Sequence, residues 1–199
     1  MTLEILTALI AFALVSSLTP GPNNLMLMAS GANFGFQRTV PHMLGVSLGF
    51  TLMVLLVGIG LVQLFETYPL SYTVLKVVSV AYLLYLAIKI ATAASPGDDS
   101  GKTGRPFTFL QAALFQWVNP KAWTMALTAV TVYSPTNTVH SMAVIAVVFG
   151  AVNLPSISMW TAMGQQLRRL LTNSLRLRTF NLVMALLLVG SLYPVLVPG

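Results

Sequence analysis

The chain has 199 residues, of which 56% are hydrophobic and only 7% charged, with ten Lys or Arg, four Asp or Glu and a formal net charge of +6. A soluble domain carries about 25% charged residues, so this composition, with a mean hydropathy of +0.84, excludes a soluble globule and indicates an integral membrane protein. The absence of cysteine excludes disulfides, thiolate metal sites and Cys nucleophiles; two histidines and four acids leave no basis for a zinc or di-iron cage, and no cofactor is expected.

A transmembrane helix needs about 20 apolar residues, and six candidates follow one another along the chain. The N-terminus, MTLEILTALIAFALVSSLTPGPNN, resembles a signal peptide. It lacks a basic n-region, carries Glu4 and runs into further apolar segments, so it is read as a retained first span, about Leu3–Asn33, interrupted at Thr19-Pro-Gly-Pro22. No lipidation signal is present. The second span covers about Val40–Phe65 and the third about Tyr72–Ala93. The polar segment Ser95–Pro106 reads as a flexible surface loop. The fourth span covers about Phe109–Val132, interrupted at Asn119-Pro120. The fifth covers about Val139–Met163 with Pro155 inside, and the sixth about Thr179–Val197. Between the last two, Gln165–Arg178 is either an amphipathic helix lying on anionic headgroups or a basic loop.

The expected fold is an all-α integral membrane protein with six transmembrane helices in a single domain, residues 1–199. A first half of about 1–94 and a second of about 108–199 flank a loop of about 95–107. Three spans per half make the halves opposite in orientation, a 3+3 inverted repeat with spans 1 and 4 broken. The basic residues support this layout. Arg38, Lys89, Lys102, Arg105, Arg168, Arg169, Arg176 and Arg178 fall in or beside alternate loops, and the other loops and both termini hold none apart from Lys76 near the start of span 3. By the positive-inside rule those loops are cytoplasmic and both termini lie outside. Lys76 is then within snorkelling reach of the outer interface. This thin spread of cations, without a basic soluble face, excludes nucleic acid as a partner.

Ser16-Ser-Leu-Thr-Pro-Gly-Pro-Asn-Asn24 is the strongest local signal. Pro20 and Pro22 cannot donate backbone hydrogen bonds and free the carbonyls of Ser16 and Leu18, and Gly21 adds conformational freedom. The helix should break here, and in lipid the freed groups must find protein, water or substrate. A half-helix starting near Asn23 aims its positive end at the gap, which suits a carboxylate. The half-helix that ends there offers carbonyls, which suit an ammonium. The other reading is a packing kink without a ligand.

Gln116-Trp-Val-Asn-Pro-Lys-Ala-Trp123 interrupts span 4 at the corresponding place in the second half. Pro120 frees the carbonyl of Gln116 and Asn119 offers a polar side chain. Paired interruptions of this kind point to a midplane substrate site in inverted-repeat transporters. Lys121 lies well inside a span, where a charge is costly. It binds or screens a substrate carboxylate, donates to freed carbonyls, or snorkels to the inner interface. Asn153 and Pro155 lie deep in span 5. His42, at the start of span 2, is either proton-linked or an interfacial or packing residue. Glu4 and Glu66 fall near the opposite membrane face, and no acid lies at the centre of a span, which favours a neutral amine-bearing substrate over a dication. Gly45-Val-Ser-Leu-Gly49 matches the nucleophile-elbow pattern without its strand–turn–helix context, so no enzyme is expected; the same residues read as a close helix-packing motif. Gly31 and Gly35 repeat that spacing at a helix end, where a turn is the simpler reading.

TPGPNN, Gly35-Phe-Gln-Arg38, Pro41-His-Met-Leu-Gly45 and the NPKAW of span 4 together resemble the LysE/RhtB family of amino-acid exporters over nearly the whole chain. The resemblance implies a bacterial cytoplasmic-membrane protein exporting amino acids or their relatives, coupled to the proton gradient. Its motif residues fall here on Thr19, Pro20, Gly21, Pro22, Asn23, Asn24, Asn119, Pro120 and Lys121, and Gln116 joins them from the second break. The expected partners are a small-molecule substrate and the bilayer, with a homo-oligomer left open. The expected mechanism is alternating access around the two facing breaks. The substrate carboxylate would meet the half-helix starts near Asn23 and Ala122, and its amine the carbonyls near Leu18 and Gln116. A non-transporting membrane scaffold is the alternative, and it predicts dry, tightly packed breaks.

Overall fold

The computed structural model describes residues 1–61, 63, 67–93, 105–134, 138–171 and 173–196. Glu66, Lys102 and most of the expected loop, residues 95–104, lie outside the described residues. The helices are α1 (Leu3–Leu18), α2 (Pro22–Phe34), α3 (Phe36–Leu56) continued by a π turn (Val57–Leu61), α4 (Leu70–Ala91), α5 (Phe109–Phe115) continued by a 3-10 turn (Gln116–Val118), α6 (Pro120–Tyr133), α7 (Val139–Arg168), α8 (Ser174–Gly190) and a short α9 (Tyr193–Leu196). Among the described residues there is no strand.

Local chemistry sets these boundaries. Thr108 and Gln111 form a capping box at the start of α5, with reciprocal bonds of 3.1 and 3.2 Å. Thr138 caps α7 by accepting from the Ser141 amide at 3.2 Å. A single residue, Gly35 at φ +82°, joins α2 to α3, a left-handed backbone that favours glycine. The α3 helix therefore begins at Phe36, ahead of the Val40 expected from hydropathy, because its first turn is polar and Arg38 lies over the Phe34 ring at 5.8 Å.

Among the described residues, three helices are long and apolar enough to cross a membrane: α3 with its π turn (26 residues), α4 (22) and α7 (30). The pair α1 and α2 makes a fourth if its 53° bend is taken within one span. At a 1.5 Å rise, α7 is about 45 Å long, beyond the roughly 30 Å hydrocarbon core. Its last turns thus project past the core, and the chain turns back to start α8 at Ser174. Gln165–Arg178 is shared between these two helix ends and is no separate interfacial helix. Large apolar side chains face outward along α4 and α8, among them Val74, Val77, Ile88, Leu182 and Leu186, as lipid requires.

Helix association in lipid depends on close packing rather than on hydrophobic burial. Here α7 lies at the centre, against α1, α2 and α3; α3 also packs on α5, and α4 on α8. Glycines set the two tightest seams. A Cβ on Gly164 of α7 would run into the Met28 carbonyl, and one on Gly31 of α2 into the Thr161 carbonyl. A Cβ on Gly45 or Gly49 of α3 would meet Phe109, Ala112 or Ala113 of α5. Gly31 is therefore a packing residue and Gly35 the turn. Phe50, Phe149 and Phe12 interlock edge to face between α3, α7 and α1.

One end of the bundle gathers several of the cations. The α2 terminus, the starts of α3 and α5 and the ends of α4 and α7 meet there, bringing Arg38 onto Phe34, Lys89 onto Phe107 and Arg168 beside Gly35.

Candidate functional site

Both sequence-predicted breaks form, and they face each other. In the first, α1 stops at Leu18 and α2 starts at Pro22, as missing proline donors require. Asn24 laces the gap: its Nδ2 donates to the Ser17 carbonyl and to the Thr19 carbonyl, each at 2.8 Å. The Ser16 carbonyl, which Pro20 leaves without a backbone donor, accepts from the Thr19 hydroxyl at 2.9 Å. In the second break, Asn119 caps α6 by accepting from the Lys121 amide at 3.2 Å, and Trp123 Nε1 reaches back to the Trp117 carbonyl at 2.9 Å. Each break is thus held open by a side chain that replaces lost helical bonds.

The two breaks are tied together. Asn23 Nδ2 donates to Gln116 Oε1 at 2.8 Å and Gln116 Nε2 returns a bond to Asn23 Oδ1 at 3.2 Å. Gln116 is fully buried and also donates to the Ala112 carbonyl at 2.8 Å. Lys121 crosses from the second break to the first. Its Nζ donates to the Thr19 carbonyl at 2.7 Å, the Thr19 hydroxyl at 2.9 Å and the Pro20 carbonyl at 3.3 Å. The side chain neither snorkels nor aims at a half-helix N-terminus; it sits where freed carbonyls concentrate negative potential. Gly21 makes this possible by absence, since a Cβ there would lie 2.6 Å from Lys121 Cδ.

Between the breaks lies a cavity of about 30 Å³, walled by Ser16, Ser17, Gly21, Asn23, Asn24, Asn119 and Lys121 and by Phe50, Ala122, Met125 and Asn153. At roughly 10–15 Å³ per water it holds about two waters. Asn153 stands about 21 Å along α7 from Val139 and about 22 Å from Arg168 at 1.5 Å per residue, so the cavity is midway through the bundle. Ser17 Oγ is buried there without a hydrogen-bond partner in the protein, so its hydroxyl is free to bond a small polar ligand.

A profile of the LysE type translocators matches residues 14–191, both breaks included. The chain belongs to this family. Cysteine/O-acetylserine efflux proteins of Escherichia coli (strain K12) and Shigella sonnei (strain Ss046) are each 30% identical to it over 191 residues, covering 95% of this chain and 96% of theirs. No solved structure matches it. Family membership and the apolar helices make it a multi-pass membrane translocator.

Nearly all the predicted residues converge. Thr19, Pro20 and Pro22 form the first break, and Gln116 and Pro120 flank the second. Gly21, Asn23, Asn24, Asn119, Lys121 and Asn153 line the cavity itself. His42 does not join them. Eight residues from Phe50 on α3, it stands about 12 Å further toward the basic end. It is 2% exposed rather than interfacial, against Phe107 at 5.2 Å between ring centres. Ala122, expected as a half-helix start, is a cavity wall; sequence reasoning missed Ser17, Phe50 and Met125. Ser17 was legible one turn before Pro20; the others read as ordinary apolar span residues.

Proposed function

We propose that this protein exports small neutral amino acids or amino-acid derivatives across the cytoplasmic membrane by alternating access around the two facing breaks, driven by the proton gradient. One observation carries the reading. The Asn23–Gln116 pair joins two broken helices around a polar cavity midway along α7 in which a buried serine hydroxyl is unpaired. A scaffold has no use for such a gap; a carrier does. The relatives named as cysteine/O-acetylserine efflux proteins support a small zwitterion. Among the described residues no acidic side chain lines the cavity, which favours a substrate without a second positive charge.

In this mechanism the carbonyls just past the end of α1, at Thr19 and Pro20 rather than at Leu18, take the substrate ammonium. The starts of α2 and α6 face the carboxylate, and Ser17, Asn23 and Asn119 orient it. Lys121 holds the ammonium position in the empty carrier and yields it to substrate. The cavity takes only about two waters as it stands, so the breaks must part to admit an amino acid. The proton is carried by a group other than a central acid: His42, the substrate or water.

Six spans with both termini outside complete the reading. Packing supports an inverted repeat: α1 and α2 lie on α7 as α5 and α6 lie on α3, while α3 meets α7 and α4 meets α8. Exchanging the halves maps these pairs onto each other. The test is efflux from proteoliposomes preloaded with a panel of labelled amino acids, including O-acetylserine, cysteine, lysine and glutamate. Export of the small neutral members with inward proton drive supports the proposal; no efflux of any member refutes it.

A further inference from the structure

A second cavity, of about 70 Å³, lies at the basic end between α2, α3 and α4 and the segment leading into α5; its walls are mostly apolar, with a few polar and cationic side chains. It is a separate chamber, although α2 serves both. Asn23 and Asn24 at its start face the central cavity; Ser30 and Asn33, two to three turns on, face this one. At roughly 10–15 Å³ per water it has room for about five waters, or a carboxylate with a short tail.

Most of its polar lining is already satisfied. Ser30 bonds Thr39 at 3.0 Å, and Asn33 bonds the Ala29 carbonyl at 2.8 Å and Asn181 at 2.9 Å. His42 is the exception: it is 2% exposed, and both ring nitrogens lack a partner. A neutral imidazole always carries one N–H donor and one acceptor. Leaving them unmet in a buried site is costly, so a group with hydrogen-bonding atoms belongs in the space beside it. The charge of that group follows from the rim. Lys89 and Arg105 both border the cavity, and no acidic side chain does among the described residues. The walls are otherwise apolar: Met26, Leu86, Ile90 and Phe107.

We propose that this chamber is a second binding site, specific for a small carboxylate, with His42 donating its ring N–H and Lys89 and Arg105 supplying the positive field. Where the protein acts as the proposed exporter, the ligand is the carboxylate end of the amino acid, held one stage before the central breaks and handed along α2.

The natural absence of cysteine makes the test direct. Ser30→Cys, and Ala29→Cys should the first not fold, places a unique thiol in the chamber of the full-length protein in membranes. The anionic reagent sulfonatoethyl methanethiosulfonate should react at least about tenfold faster than its trimethylammonium counterpart. Replacing Lys89 and Arg105 with Gln should erase the preference. Millimolar acetate and O-acetylserine should both slow the reaction, and His42→Leu should abolish that protection while leaving the thiol reactive. The series is repeated with Asp98→Asn and Asp99→Asn, so that the chain's own carboxylates cannot compete. Equal rates for the two reagents, or no protection by acetate, overturn the site. Protection by O-acetylserine that survives His42→Leu places the ligand elsewhere and also overturns it. Protection by acetate alone keeps a carboxylate site and overturns the hand-over. Efflux is measured on the same preparations: protection without efflux removes the transport reading alone, and efflux without protection removes this site alone.

Discussion

Lys121→Met is the most informative single change. The Lys121 ammonium makes three contacts with Thr19 and Pro20, at 2.7, 2.9 and 3.3 Å. A hydrogen bond to a charged group contributes about 1.5–3 kcal/mol. The first break is partly exposed here, so the lower bound is the appropriate one for the set. About 1.4 kcal/mol is a factor of ten, so the empty carrier without this cation should return at least about tenfold more slowly, and net efflux should fall by that factor. Substrate would no longer displace a resident ammonium, so its apparent KM should fall while exchange of internal for external substrate continues. Cysteine chemistry separates charge from shape. Lys121→Cys treated with aminoethyl methanethiosulfonate regains an ammonium on a side chain of similar length, and net efflux should recover. The neutral ethyl reagent should not restore it. Gly21→Val reaches the same end independently, because its Cβ would displace Lys121 Cδ. Unchanged net efflux in Lys121→Met, or equal rescue by both reagents, would refute the reasoning.

Pro20→Ala combined with Pro22→Ala should heal the first helix and abolish efflux while the protein still reaches the membrane; retained efflux would remove the broken helix from the mechanism. Gly164→Leu should collide with the Met28 carbonyl and lower stability by about 1–3 kcal/mol, the usual cost of overpacking, read as earlier thermal unfolding in detergent. Asn33→Leu should leave the fully buried Asn181 amide without its partner. That costs about 1–3 kcal/mol, and Asn181→Leu in the same chain should recover part of it.

The breaks were legible because proline and glycine act on the backbone directly. TPGP and NP fix where helical bonds are missing, whatever surrounds them, and hydropathy fixes the apolar runs between. Direction and distance were not legible. Lys121 sits in a sequence that fits snorkelling, anion binding or carbonyl capping equally well. Only packing across the breaks, with Gly21 clearing the way, selects carbonyl capping. Polar helix ends misled for a related reason. Phe36–Thr39 and Gln165–Arg168 are too hydrophilic to read as span, yet they are helical where α3 and α7 run to the basic end. His42 follows a proline at the head of an apolar run, which suggests an interface; the Phe107 segment, more than sixty residues later in the chain, buries it. The pairing of Asn23 with Gln116 bridges 93 positions, beyond the reach of any local pattern.

The central claim is that substrate passes between the two breaks, which must part to let it through. Asn23→Cys with Gln116→Cys, in a chain with no other cysteine, can be bridged across the gap by a short bifunctional thiosulfonate. Efflux is then measured before bridging, after bridging and after reduction, each against the reduced rate that the unbridged double variant retains without the Asn23–Gln116 bonds. The account predicts that bridging stops efflux and that reduction restores it; efflux continuing at the unbridged rate through a fully bridged protein would contradict it.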